Sequence, residues 1–243
     1  KIRNKAMRDR IIHIIILMLA AAFSAHAQLG VKVGYTGSTH RLEVDGTVEK
    51  VHADGMTAGV TYDISLAKNL YLRPGLMYGF EWYSETSNQT TEYGGFSINE
   101  HFKEHSITIP LHLRYEIEII PEILSCFVAA GPSIAIGIYS ATDVSMFGTL
   151  DMNFKADNYN GDLEYTYFPY QQEIMDPVTE AIMDSSILHK RFDISIGGSA
   201  GFRIMKNIGM EIGYGYGLMN RFRNTHDHSY HRNVLRFTIG YSF

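Results

Sequence analysis

The chain has 243 residues, 45% hydrophobic, 12% aromatic and only 19% charged, with 22 Gly, 16 Tyr and 13 Phe. Its one cysteine, Cys126, excludes an internal disulfide and any Cys-x-x-Cys metal or redox site. Residues 1–27 carry five Lys or Arg and one Asp, so the formal charge falls from −5 to −9 without them, which excludes the basic surface that nucleic acid requires.

The first element reads as an export signal. Met7-Arg8-Asp9-Arg10 is a charged start, residues 11–24 are an apolar stretch too short to span a bilayer comfortably, and Ala25-His26-Ala27 is an A-x-A cleavage site. The mature chain is expected to begin at Gln28, and with no Cys after the site it is not expected to be a lipoprotein. No later segment has the apolar length of a transmembrane helix, so a membrane would be crossed by strands.

Eight segments then alternate apolar with polar residues at the strand period. They are 29–36, 56–66, 70–82, 106–118, 124–139, 190–204, 208–218 and the last ten residues. The final one sets Leu235, Phe237, Ile239, Tyr241 and Phe243 against Arg236, Thr238, Gly240 and Ser242. Cys126, in the apolar run 124–139, is expected to be a small packed side chain. Three connections are tight: Ala67-Lys68-Asn69, the turn around Ile119 to Glu122, and Lys206-Asn207. Four are long and polar, about 37–54, 84–105, 140–189 and 220–232. Strict alternation of short and long connections matches an outer-membrane barrel with short periplasmic turns and long outer loops.

The polar set decides which face is inside. It is dominated by Gly, Ser and Thr with scattered charges, which suits a crowded interior, whereas a solvated exterior would carry Lys, Glu and Gln. The apolar set is rich in aromatics near strand ends, as lipid-facing girdles are. The predicted fold is all-β: an eight-stranded antiparallel up-and-down transmembrane β-barrel, residues 28–243, whose interior side chains just fill. On its inner face fall Lys32, Arg73, Arg114, Arg203 and Arg236 against Asp63, Glu81, Glu116, Glu118, Asp193 and Glu211. Charges in so closed a space are tolerable when paired, so an interior ion-pair network and no open pore are expected. Closing the ring requires 29–36 to pair with 233–243. Phe237, Tyr241 and Phe243 then face lipid as the C-terminal signal that barrel-assembly machinery reads.

The stretches "HSITIPLHLRYEIE" (105–118), "AAGPSIAIG" (129–137), "KRFDISIGGSAGFRI" (190–204) and "FTIGYSF" resemble the outer-membrane β-barrel domain family widespread in Bacteroidota, which includes PorT-like proteins of the OmpX/OmpA-type eight-stranded architecture. Ile109-Pro110-Leu111, Arg191-Phe192-Asp193 and Phe243 carry the match, which spans 28–243. The resemblance implies the fold and, through PorT-like members, an association with protein secretion.

Chemistry is sparser. His226, Asp227, His228 and His231 crowd one outer connection and could ligate a transition metal, with His40, His52, His101 and His105 placed toward the same end; an ordinary solvated loop is the expected reading, and no cofactor is implied. The stretch 140–189 interleaves Asp151, Asp157, Asp162, Glu164, Asp176 and Asp184 with Tyr159, Tyr165, Tyr167, Phe168 and Tyr170. That mixture suits either a contact surface for a protein, a glycan or cation-bridged lipopolysaccharide, or a cover folded over the barrel mouth. A lipid-modifying hydrolase or acyltransferase would need a Ser or His with a partner at the rim, and His105 with Ser106 and His189 near Asp193 are the local pairs available. A small-molecule-binding barrel is a further alternative. The expected role is structural or interactive, with no catalytic residue.

Overall fold

The computed structural model describes residues 27–44, 46–91, 94–148, 151–167, 189–223 and 228–243. The predicted export signal and residues Phe168, Tyr170, Asp176, Asp184, His226 and Asp227 lie outside the described residues. The strands are β1 (Ala27–Val44), β2 (Thr47–Ala67), β3 (Leu70–Thr91), β4 (Gly94–Ile120), β5 (Leu124–Gly148), β6 (Met152–Asp157), β7 (Leu163–Tyr167), β8 (Phe192–Ile204), β9 (Ile208–Gly217) and β10 (His228–Ser242). Eight of them close a ring in the order β1-β2-β3-β4-β5-β8-β9-β10, all antiparallel. β1 and β10 complete it from Gly30↔Ser242 to Val44↔His228, so the ring has no free edge where it meets lipid.

Apolar side chains of the predicted outer set form an exposed belt, from Leu29, Val31 and Val33 on β1 round to Phe237, Ile239 and Tyr241 on β10. Much of the predicted inner set is buried: Asp63, Arg73, Arg114 and Arg203 are each 7% exposed or less, whereas Lys32, Glu116, Glu211 and Arg236 are half-buried. Cys126 is not packed inside. It lies exposed in the outward set, because Phe127 takes the inward position beside it.

The tight turns need left-handed backbone. Asn69 (φ 66°) supplies it with a residue that tolerates that region. Between β8 and β9 the left-handed pair is Met205 (φ 50°) and Lys206 (φ 62°), one residue earlier than the predicted Lys206-Asn207 turn. Two consecutive positive φ values are the signature of a two-residue hairpin turn matched to strand twist. Asn207 instead donates from its side chain to the Ser242 carbonyl at 2.6 Å.

The long outer connections are largely strand. A tilted strand needs about 9–11 residues to cross the hydrocarbon, yet β4 has 27, β5 has 25 and β3 has 22. The stretches read as loops at 37–54 and 84–105 are therefore mostly β-ladder, which carries the barrel wall beyond the lipid. On β5 the extension is masked in sequence by a register shift where His105↔Tyr139 is followed by Ser106↔Gly137. The extra residue, Ile138, moves the inward set from odd positions such as Ser133 and Ala135 to even ones such as Ser140 and Val144. Above Ile136 β5 leaves β8 and pairs with β6 instead, through Ala141–Met146 against Met152–Asp157.

Candidate functional site

The lumen holds two tiers of buried charge and an aromatic layer above them. In the lower tier Asp63 accepts from Arg73 Nε (2.5 Å) and Nη2 (2.7 Å), Arg114 Nη1 (2.6 Å) and Arg203 Nη2 (3.1 Å). Glu116 lies 2.6 Å from Arg114 and 3.6 Å from Arg203, and Glu211 takes Lys32 at 2.5 Å and Arg73 at 3.3 Å. Phe127 fills the remaining space, with the Arg114 guanidinium 4.0 Å from its ring centroid. Seven of the eleven predicted charges thus form one connected cluster drawn from six strands.

The other four depart from that cluster. Glu81 joins the upper tier, 3.3 Å from Arg232 and 3.7 Å from His40. Asp193 and Arg236 make no ion pair among the described residues. Both sit on the inner face as alternation requires, but alternation does not set height along the axis, and opposite charges reach them only from beyond ion-pair distance. Glu118 is exposed at the short-turn mouth, beside Gln28 and Arg203, because the barrel opens there.

The upper tier is built from residues hidden in stretches read as loops. Arg221 Nη2 donates to both carboxylate oxygens of Glu104 at 2.8 Å, and Arg232 Nη1 bridges Glu104 (3.2 Å) and Glu81 (3.3 Å). Glu104 and Arg221 are each 1% exposed. The signal was present in part: Glu104 lies two residues before inward Ser106, and Arg232 four before Arg236, so both continue an existing dyad. Arg221 follows β9 outside any alternating run and had no such signal.

Above this tier His40 stacks on Tyr230 (5.6 Å) and edges Phe102 (5.7 Å), while His189 and Phe222 pack on Tyr230 at 4.9 and 5.3 Å. Tyr159 closes the gap where β5 and β8 part. It is fully buried against Gly137, where no Cβ would fit, and Arg191 lies 4.7 Å over its ring. Burial and nearby Glu104 push the Tyr159 phenol above its ordinary range. Asn158 anchors that turn, donating from Nδ2 to the hydroxyls of Ser140 (2.9 Å) and Thr142 (3.1 Å). Burial, reinforced by Arg221, lowers His189 to about 3, so it is neutral. This layer floors an outer cup of about 500 Å³ whose walls include Glu49, Glu85 and Glu100.

The candidate catalytic pairs are not assembled. His105 points outward, its Nδ1 2.5 Å from the Tyr78 hydroxyl, whereas Ser106 is buried inside, since neighbours on a strand face opposite ways. His189 Nδ1 and Asp193 Oδ1 are both buried without a hydrogen-bond partner. The histidines are likewise dispersed: His52 meets Thr39 at 3.2 Å, His101 meets Ser84 at 2.7 Å, and His231 sits on β10 opposite Arg41. His228 pairs with Val44 through its backbone. Among the described residues no three His, Cys, Asp or Glu converge to hold a metal. Phe237, Tyr241 and Phe243 all face outward, with Tyr241 and Phe243 in edge contact at 5.2 Å.

Among solved structures the chain is similar to Ail of Yersinia pestis crystallised with the heparin analogue sucrose octasulfate (14% identity, 90% of this chain and 99% of that one, TM-score 0.38). It is also similar to Neisserial surface protein A (12%, 90% and 99%, 0.40) and to OprG of Pseudomonas aeruginosa (10%, 89% and 96%, 0.39). No curated protein matches it. The family model described as the outer membrane protein beta-barrel domain matches residues 21–223, most of the chain, and the protein belongs to that family, a barrel of the Gram-negative outer membrane.

Proposed function

We propose that this is a closed, non-conducting barrel that acts through what it presents outside the membrane. In this reading it is a rigid scaffold for contact with a protein or glycan partner, and its outer walls lie against lipopolysaccharide. The observation that carries the reading is the pairing of a lumen crossed by two tiers of buried ion pairs with walls that continue far past the lipid belt. Five strands of 18 or more residues, β1 to β5, supply most of that extension. An aromatic-floored, carboxylate-walled cup at the outer mouth is the concave surface best shaped for a partner. The PorT-like resemblance makes secretion the process to examine first, in an organism of the Bacteroidota.

Residues 1–27 would serve as the cleaved signal peptide, and the outward Phe237, Tyr241 and Phe243 as the signal for barrel-assembly machinery. An enzymatic reading lacks an assembled pair, because His105 and Ser106 face opposite sides of the wall. A small-molecule site inside the lumen lacks room, since the chamber between the charge tiers is about 80 Å³.

Planar-bilayer recording of the purified full chain should show no steady conductance steps; a stable porin-sized conductance refutes the closed barrel. A deletion strain should lose surface binding or secretion with an unaltered lipid A mass spectrum. A changed lipid A spectrum would move the assignment to the enzyme class.

A further inference from the structure

The chamber between the two tiers has an unbalanced charge. The lower cluster sets four cations, Lys32, Arg73, Arg114 and Arg203, against three carboxylates, Asp63, Glu116 and Glu211. Arg236 adds a fifth cation on the chamber wall and has no ion pair or hydrogen bond among the described residues. Its guanidinium lies over Gly215, where an added Cβ would come within 3.3 Å of Nη1 and 3.9 Å of the Ser195 hydroxyl. Gly215 is therefore what leaves the guanidinium its place beside Ser195. Across the chamber His112 Nε2 and the Ser133 hydroxyl pair at 3.3 Å.

A guanidinium does not lose its proton in proteins, and an isolated charge in a low-dielectric interior is expensive unless a counter-charge meets it. The upper tier cannot supply one, because Glu81 and Glu104 are already matched by Arg221 and Arg232. The chamber, about 80 Å³, has room for a small inorganic anion with a few waters and none for a sugar or nucleotide. Its lining supplies N–H and O–H donors suited to such a guest, and the carboxylate in it, Glu211, is already held by Lys32 and Arg73.

We propose that the barrel encloses a small inorganic anion, a halide or compact oxyanion, against Arg236 in the chamber bounded by Ser195, Ser133 and His112, as an integral part of its plug. The anion neutralises the one interior guanidinium without an ion pair among the described residues. With ion pairs above and below, it is loaded as the barrel closes.

The test is to refold the full-length protein into detergent with bromide as the sole anion, and in parallel with selenate as a tetrahedral stand-in, then crystallise each and record anomalous diffraction. A peak within hydrogen-bonding distance of the Arg236 guanidinium is expected in at least one arm, and which arm tells a halide site from an oxyanion site. The peak should vanish in Arg236→Gln, whose folding is checked by gel mobility. Wild-type crystals with no peak at Arg236 in either arm, or with peaks only on the surface, overturn the proposal, and they do so even if the variant fails to fold. Conductance does not bear on this result, so the closed-barrel reading and the anion site can fail separately.

Discussion

Asp63 holds three buried arginines at once, and its replacement is the sharpest test of how the lumen is stabilised. Asp63→Asn keeps the volume and removes the charge, leaving Arg73, Arg114 and Arg203 to share Glu116 and Glu211. Removing one partner of a buried pair costs about 3–5 kcal/mol, a large share of the roughly 5–15 kcal/mol that holds a typical domain folded. That is roughly a hundredfold to several-thousandfold loss in the folding equilibrium. With a urea slope of about 2 kcal/mol per molar, the midpoint should fall by roughly 1.5–2.5 M. The assay is urea unfolding in phospholipid vesicles, followed by fluorescence of Trp82, the only tryptophan, and by heat-dependent gel mobility. Glu122→Gln, at the exposed Lys206–Glu122 pair, should leave the midpoint where it is. Adding Arg114→Met to Asp63→Asn removes one orphaned cation and should recover part of the loss. If Asp63→Asn unfolds with the Glu122→Gln control, the charge cluster is not what stabilises the lumen.

Gly137→Ala should expel Tyr159 from the wall and free the β6–β7 hairpin, raising trypsin cleavage after Lys155 while the barrel keeps its folded mobility. A spin label on the native Cys126 should be relaxed by oxygen far more than by a water-soluble nickel chelate, because that side chain faces lipid; the reverse order places it in the lumen. His189 titrates near 3 when folded and near 6.5 when unfolded, so its contribution is complete above pH 6.5 and declines as pH falls from 6.5 toward 3. The protection factor of the His189 N–H, which donates to the Asn158 carbonyl at 2.8 Å, is its exchange rate divided into the intrinsic rate at each pH, and it should fall over that window and stay flat in His189→Phe.

Alternation over 106–118 and 235–243 was enough to determine the strands and the facing of every side chain on them, because pleating forces successive residues to opposite sides whatever the sheet packs against. The Gly, Ser and Thr character of one set then determined that this set is inside, and short turns at Asn69 and Pro121 determined the antiparallel order. Height along the barrel axis was another matter. That Asp63 meets Arg73, Arg114 and Arg203, while Arg236 meets no carboxylate among the described residues, follows from inter-strand register, which brings Asp63 and Arg203 together from 140 positions apart. Tertiary structure alone also decided the reach of the walls, since the extra residue at Ile138 shifts the phase of β5 and hides its outer half. The upper tier of Glu104, Arg221 and Arg232 exists because those hidden ladders bring three distant polar segments into one dry layer, where a charge persists only beside its opposite.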